Sequence, residues 1–367
     1  MATKVAILGA TGQNGSSIVN GLLASEIKFE ITALVRPSSL KKPNVIDLQK
    51  RGVKVVSFDI DGPQETVLGQ LKDLDTLIVC CLLNEVPLIN AAKEAHVKRY
   101  VPCFYASVMP RGVQTLRDNV SHLCFRFRTA SFKADQVVGP QKEAVLDHIQ
   151  RTHLPYTVID VGWWYQISLP RLPSGRLDRN LFLYNTAIGG DGNVPCARTD
   201  SRDIGAYVAR IITDPRTLNQ KVLAYTDLRT QHELWDTVAE LSGEKLEKKY
   251  VGLAQPDSIF KTNSPSQRTA EEIEQGIAAT KGDQTKMMDY YQYTYQKSFD
   301  IMGENTPEYA RYLGYLIGKD LYPDFQGTSF EDFVKHTLES GLEPMYEEYG
   351  DMLRQTSAFV FKGEGTA

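Results

Sequence analysis

The sequence predicts an α/β chain: a doubly wound parallel sheet with a smaller, mainly helical region attached. Three observations carry this. Up to about residue 160, short apolar runs alternate with segments of helical length: KVAILG (4–9), ITALVR (31–36), VKVVSF (53–58), TLIVCC (76–81), KRYVPC (98–103) and PYTVIDVG (155–162). Strands separated by helix-length crossovers form parallel βαβ units. The runs are apolar almost throughout rather than at alternate positions, so the sheet is covered on both faces. Finally, 367 residues that are 42% hydrophobic and 23% charged can bury a sizeable core, which excludes a disordered tail or a disulfide-stapled miniprotein.

The first strand leads into Gly9-Ala10-Thr11-Gly12-Gln13-Asn14-Gly15, and a helix follows whose apolar stripe is expected to hold Ile18, Val19, Leu22 and Leu23. Glycines at this spacing let the backbone turn tightly, approach a pyrophosphate and pack helix on strand, while the helix N-terminus offers unpaired N–H groups. Position after the first strand makes this a dinucleotide site of the Rossmann type, contacted by Gly9, Thr11, Gly12, Gln13, Asn14 and Gly15. The second strand ends at Val35-Arg36-Pro37-Ser38-Ser39, where an NAD site offers an acidic residue to the ribose hydroxyls. Arg36 with Ser38 suits a 2′-phosphate instead, so the expected cofactor is NADP(H); the alternative is a solvated basic strand end. Asp59, after the third strand, is either an adenine contact or a turn residue.

Ligands of an open α/β sheet bind beyond the carboxyl ends of its strands. This selects Cys81 and Leu82 after the fourth strand and Pro102 after the fifth for the cofactor. It also selects Phe104 and Tyr105, then Trp163, Trp164 and Tyr165 after the sixth, for a substrate. Three adjacent aromatic residues suit an aromatic or polycyclic molecule; ordinary core packing is the competing reading.

From residue 163 the alternation fades into Pro- and Gly-rich connections with two short strands. A helix in TDSRDIGAYVARIITDP and a strand in KVLAYT (221–226) are expected to return to the sheet, and the rest to be mainly helical. The expected division is a dinucleotide-binding unit over 1–162 with 200–226 returning to it, and a substrate-binding region over 163–199 and 227–367.

The motifs GATGQNG, VRPSS, KRYVPC, PQKEAVLDHIQ, LPYTVIDVGWWYQ and TDSRDIGAYVARIITDPRTLNQ, spread over residues 4–245, together resemble the NmrA-like and isoflavone reductase-like group of atypical short-chain dehydrogenases/reductases. The resemblance implies an NADPH-dependent oxidoreductase, in some fungal members serving secondary metabolism. It also implies a catalytic lysine on the helix after the fifth strand, reaching the nicotinamide end of the cleft; Lys142 stands there. A lysine needs burial or a neighbouring cation to lower its proton affinity for acid–base work near neutral pH. Redox-neutral rearrangement and a non-catalytic NADP sensor are the alternatives the same resemblance allows. A typical short-chain dehydrogenase carries Tyr-x-x-x-Lys near this helix; here those letters occur only at Tyr293 to Lys297, far beyond the sheet. The stretch 119–139 is longer than the family pattern expects.

The charge balance of −4 argues against a nucleic-acid partner. Five cysteines in mostly apolar runs, with no Cys-x-x-Cys pair, read as reduced thiols of a cytoplasmic protein. No signal-like leader, membrane-length apolar run, metal-ligand spacing or Gly-x-Ser-x-Gly elbow is present, so neither a membrane, a metal nor hydrolase chemistry is expected. A monomer or homodimer acting on a small molecule is the resulting expectation.

Overall fold

A computed structural model describes residues 2–81, 83–111, 142–177, 187–246, 266–283 and 286–341. The segment 119–139 and Leu82 lie outside the described residues. The first half runs β1 (Thr3–Leu8), α1 (Gln13–Ala24), β2 (Phe29–Val35), α2 (Pro43–Lys50), β3 (Lys54–Ser57), α3 (Gln64–Leu71), β4 (Thr76–Val79), α4 (Val86–Glu94) and β5 (Tyr100–Val101). Next come α5 (Lys142–Arg151), β6 (Thr157–Asp160), β7 (Trp163–Trp164), β8 (Ala187–Gly189), β9 (Cys196–Thr199), α6 (Ile204–Ile211), β10 (Gln220–Leu223) and β11 (Asp227–Arg229). The last part holds α7 (Gln231–Ser242), β12 (Ser266–Arg268), α8 (Ala270–Thr280), α9 (Met287–Gln296), α10 (Pro307–Tyr312), β13 (Tyr315–Ile317), α11 (Gly318–Leu321) and α12 (Phe330–Ser340).

Five strands pair in parallel in the order β3-β2-β1-β4-β5, and three more as β13-β10-β6. A parallel bridge between Tyr100 and Tyr156 joins the two sets, backed by the Tyr100 N–H donating to the Pro155 carbonyl at 2.8 Å. The order reverses direction between β1 and β4, and that is where an open α/β sheet leaves a crevice. Alternate residues of single strands feed opposite cores, as a sheet covered on both faces requires. Val5 and Ile7 pack with Ile18, Val19 and Leu22 of α1 and Ile204, Val208 and Ile211 of α6. Ala6 and Leu8 pack with Val67 and Leu71 of α3, Leu88 and Ile89 of α4, and Val145 and Ile149 of α5.

One expectation needs correction. Leu23 is exposed rather than part of the α1 stripe; at about 100° per residue it lies roughly 140° from Ile18, beyond the face that Ile18, Leu22 and Val19 share. The described residues after 229 are mainly helical, as expected, but they also supply β13, which pairs with β10 and extends the main sheet; three residues are too few to carry a periodicity.

The returning segment locks into the first half of the chain through glycine. A Cβ on Gly21 of α1 would lie 2.1 Å from the Gly205 carbonyl carbon of α6, and one on Gly205 would lie 1.9 Å from the Ser17 carbonyl oxygen. The Ser17 hydroxyl donates to the Arg202 carbonyl at 2.8 Å and accepts from the Gly205 N–H at 3.1 Å. At the amino ends of β5 and β6, buried Arg99 donates to the Thr157 and Thr217 hydroxyls and to the Ile211 and Asp214 carbonyls, tying β5, β6 and the end of α6 together.

Candidate active site

The chain leaves β1 at Gly9, whose φ of +89° falls in the left-handed region that side chains disfavour. A Cβ there would also lie 3.0 Å from the Cys80 carbonyl carbon and the Cys81 Cβ at the end of β4. At Gly15 a Cβ would meet the Gly9 carbonyl oxygen at 2.0 Å, so helix and turn can close up only without one. Gly12 caps α1 with no side-chain hydrogen bond, and no acidic residue stands in the first turn. The first N–H groups of α1 are therefore open to an anion, which the helix dipole favours. Asn14 places a buried Oδ1 beside them with no hydrogen-bond donor among the described residues, which suits a ligand N–H or O–H. Gln13 is partly committed to the fold, since its Nε2 donates to the Ser201 hydroxyl at 3.3 Å, and half-buried Thr11 lies in the turn itself.

Arg36 follows the carboxyl end of β2 and is exposed, with no ion pair or side-chain hydrogen bond among the described residues. Ser38 sits exposed in the single helical turn Pro37–Ser39 beside it. Asp59 is exposed, and its carboxylate accepts the Asp61 N–H at 3.2 Å, a turn-forming contact. These groups can hold a dinucleotide: an anion-binding helix end, a close-approach turn and a free guanidinium at the ribose position.

Lys142 opens α5 and reaches back to β5, its Nζ donating to the Phe104 carbonyl at 2.5 Å and lying 5.3 Å from the centre of the Phe104 ring. Pro102, Phe104 and Tyr105 form a tight turn here. The Phe104 N–H donates to the Pro102 carbonyl at 2.8 Å, and the Tyr105 N–H to the Ile159 carbonyl of β6 at 2.9 Å. Tyr105 sits at a φ of +39°, which is strained for a bulky residue, and is 1% exposed. Among the described residues its hydroxyl has no hydrogen-bond partner of ordinary geometry; the Cys80 and Cys103 thiols and the Glu85 carboxylate surround it. Glu85, at the amino end of α4, completes the group. It is 5% exposed, and its carboxylate accepts from the Tyr100 hydroxyl at 2.7 Å and the Cys103 N–H at 3.2 Å. Burial pushes its carboxyl up to about 7, against the opposing pull of those two bonds and of the Lys142 charge.

The aromatic residues expected to face a substrate divide in the structure. Trp163 is half-buried, with ring centroids 4.9 Å from Tyr295 and 5.1 Å from Phe299, in a cluster with Met109 and Cys196. Trp164 packs half-buried on the main core. Three of the rings pack in the interior. Phe104 packs with Leu146 and Val158, Tyr105 joins the main core, and Tyr165 stacks on Phe330 and Phe333 while its hydroxyl donates to Asp227 at 2.7 Å. Phe104 meets Lys142 through both its carbonyl and its ring. Phe299 belongs to a π-helical turn, Lys297–Ile301, that continues α9; Lys297 pairs there with Glu274, away from Lys142.

The NmrA-like family model matches residues 1–118. The asnovolin J 5′,6′-dehydrogenase of Aspergillus novofumigatus is 42% identical over 344 residues, covering 92% of this chain and 95% of that protein. The chain belongs to the NmrA-like family. More distantly, this NmrA-like chain is 26% identical over 273 residues to a bifunctional pinoresinol-lariciresinol reductase of Thuja plicata, covering 69% and 79% of the two chains. Its fold matches the crystal structure of isoflavone reductase with a TM-score of 0.66 at 21% identity, over 92% and 99% of the two chains. It also matches the leucoanthocyanidin reductase–NADPH complex of Vitis vinifera with a TM-score of 0.65 at 18% identity, again over 92% and 99%.

Sequence reasoning missed Glu85 in this NmrA-like site. The available signal was a lone acidic residue in the apolar stretch CCLLNEVPLIN, immediately before the helix that Pro87 opens.

Proposed function

We propose that the chain is an NADPH-dependent oxidoreductase that moves a hydride to or from a small aromatic or polycyclic organic molecule, with Lys142 handling the accompanying proton. The observation that carries this is Lys142 Nζ held on the Phe104 carbonyl at the carboxyl end of β5, on the same sheet edge as the open α1 N-terminus. When bound, the dinucleotide supplies or accepts the hydride. The chain does the rest. The α1 N-terminus and Arg36 bind the phosphates, and the Gly9 and Gly15 turn lets them approach. Lys142 gives a proton to, or takes one from, the substrate atom that gains or loses negative charge. Trp163, with Tyr295 and Phe299 behind it, supplies a flat apolar wall that orients a ring system and excludes water. Relatives named as a dehydrogenase and as a reductase support hydride chemistry in either direction.

The test is NADPH consumption, or NADP⁺ reduction, with a panel of aromatic and polycyclic enones, ketones, imines and their reduced forms. Lys142→Ala should lower turnover of an accepted substrate by about 100- to 10,000-fold while NADPH still binds. Full turnover by that variant would refute the assignment.

A further inference from the structure

We propose that Glu85 is the positioning residue for Lys142: it fixes the turn that carries the lysine's hydrogen-bond acceptor, and its carboxylate charge sets how tightly Lys142 holds its proton. This rests on the reading of Lys142 as the proton-handling group.

The geometry comes first. A carboxylate is costly inside an apolar layer unless donors satisfy it, and both donors that satisfy Glu85 belong to β5 or the turn after it. Tyr100 lies in β5 itself, and the Cys103 N–H immediately precedes Phe104, whose carbonyl receives Lys142. The turn is thus gripped at one end by Glu85 and at the other by β6, through the Tyr105 N–H on Ile159. The left-handed φ of Tyr105 persists only where neighbours over-determine the backbone, and these two grips do so. Nothing in the helix calls for this acid. Glu85 makes no side-chain cap to α4, and Leu88 and Ile89 of that helix are apolar core residues.

Electrostatics follow from the same placement. The described groups around Glu85 are Tyr100 and Cys103 on the β5 side, Cys80 after β4, Tyr105 in the turn, and Lys142 on α5. Burial pushes Tyr100, Tyr105 and Cys80 upward, so all three stay neutral near pH 7. Asp160, from β6, spends its carboxylate on the Tyr315 hydroxyl and the Ala106 N–H, and Asp147 of α5 is paired with Arg111 at the surface. Among these described groups, Glu85 is the one whose charge changes near neutrality beside Lys142. Because the attraction is mutual, ionising Glu85 strengthens the lysine's hold on its proton, and protonating Glu85 weakens it.

The experiment follows Lys142 in the full chain by NMR after isotope-labelled reductive methylation, with the signal assigned by its loss in Lys142→Arg. In the parent protein the signal should show a step near pH 7 besides its own titration. In Glu85→Gln that step should vanish, and the pKa of Lys142 should fall by about one unit or more. Tyr100→Phe keeps the charge but removes a bond that favours it, so the step should move to higher pH; this variant carries the test if Glu85→Gln fails to fold. A Lys142 titration unchanged in Glu85→Gln, or a step that stays near pH 7 in both variants, overturns the inference. No substrate is needed. Full turnover by Lys142→Ala would therefore sink the proposed function alone, and an unperturbed titration would sink this inference alone.

Discussion

Arg36 stands exposed where a dinucleotide's ribose would arrive, and among the described residues no carboxylate neutralises it. Hydrogen bonds to a charged group contribute about 1.5–3 kcal/mol each, so Arg36→Ala should weaken NADPH by about 10- to 100-fold and leave NADH nearly unchanged. Fluorescence titration with both dinucleotides measures this, and equal losses would refute the 2′-phosphate assignment. The exposure of Arg36 and the shape of the glycine turn were legible in the sequence because both depend on local backbone: a strand end, a left-handed φ, a helix start. The loops that carry Phe104, Tyr105 and Tyr165 were legible, whereas the packing of each ring was not. An aromatic side chain has the same chemistry in a pocket wall and in a core, and only the partners brought by β6, α5 and α12 decide between them. Glu85 was invisible for the converse reason, since its donors lie 15 and 18 residues away.

The contact between α1 and α6 shows how the two parts of the chain are held in register. Their backbones touch at Gly21 and Gly205, with Ser17 bonded to both sides of the crossing. Alanine is the better helix former by about 1 kcal/mol, yet in Gly205→Ala the added methyl would collide with the Ser17 carbonyl, and the helices must part. Overpacking of this kind costs about 1–3 kcal/mol or more, which corresponds to a drop in melting temperature of roughly 2–10 °C. Because α1 also presents the phosphate turn, NADPH affinity should fall in the same variant. Calorimetry and titration together test this; an unchanged melting temperature would show that the crossing tolerates a side chain. The strands of the cofactor half were readable from apolar runs, since a sheet buried on both faces writes itself continuously in sequence. The crossing was not, because glycine inside a helix reads as weak propensity until the opposing glycine, some 184 residues later in the numbering, is known to face it.

Titration links both halves of the fold to stability. Glu85 lies beneath the cofactor crevice, and Asp300 lies in the π-helical turn of the C-terminal region, where Gln231 Nε2 donates to it at 3.1 Å. Burial pushes each carboxyl up to about 7, from ordinary values of 4.5 and 3.8, with Arg198 partly opposing the rise at Asp300. Between those ordinary values and 7, the native chain keeps protons that the unfolded chain has released. Stability must therefore fall as pH rises through this window, by on the order of 3 kcal/mol for each group. Asp75 acts in the opposite sense. Bonds from Lys98 and the Lys4 N–H hold its carboxyl below 3.8 despite some burial, so its contribution is lost only at lower pH. The parent protein should thus melt at progressively lower temperature between about pH 5 and pH 7, and Asp300→Asn, which keeps the shape and removes the titration, should flatten part of that slope. Combining it with Glu85→Gln should flatten the slope further and almost additively, because the two groups share no hydrogen-bond partner. Melting curves across this range decide the matter: a parent protein equally stable at both ends would mean that neither carboxyl holds its proton in the folded state.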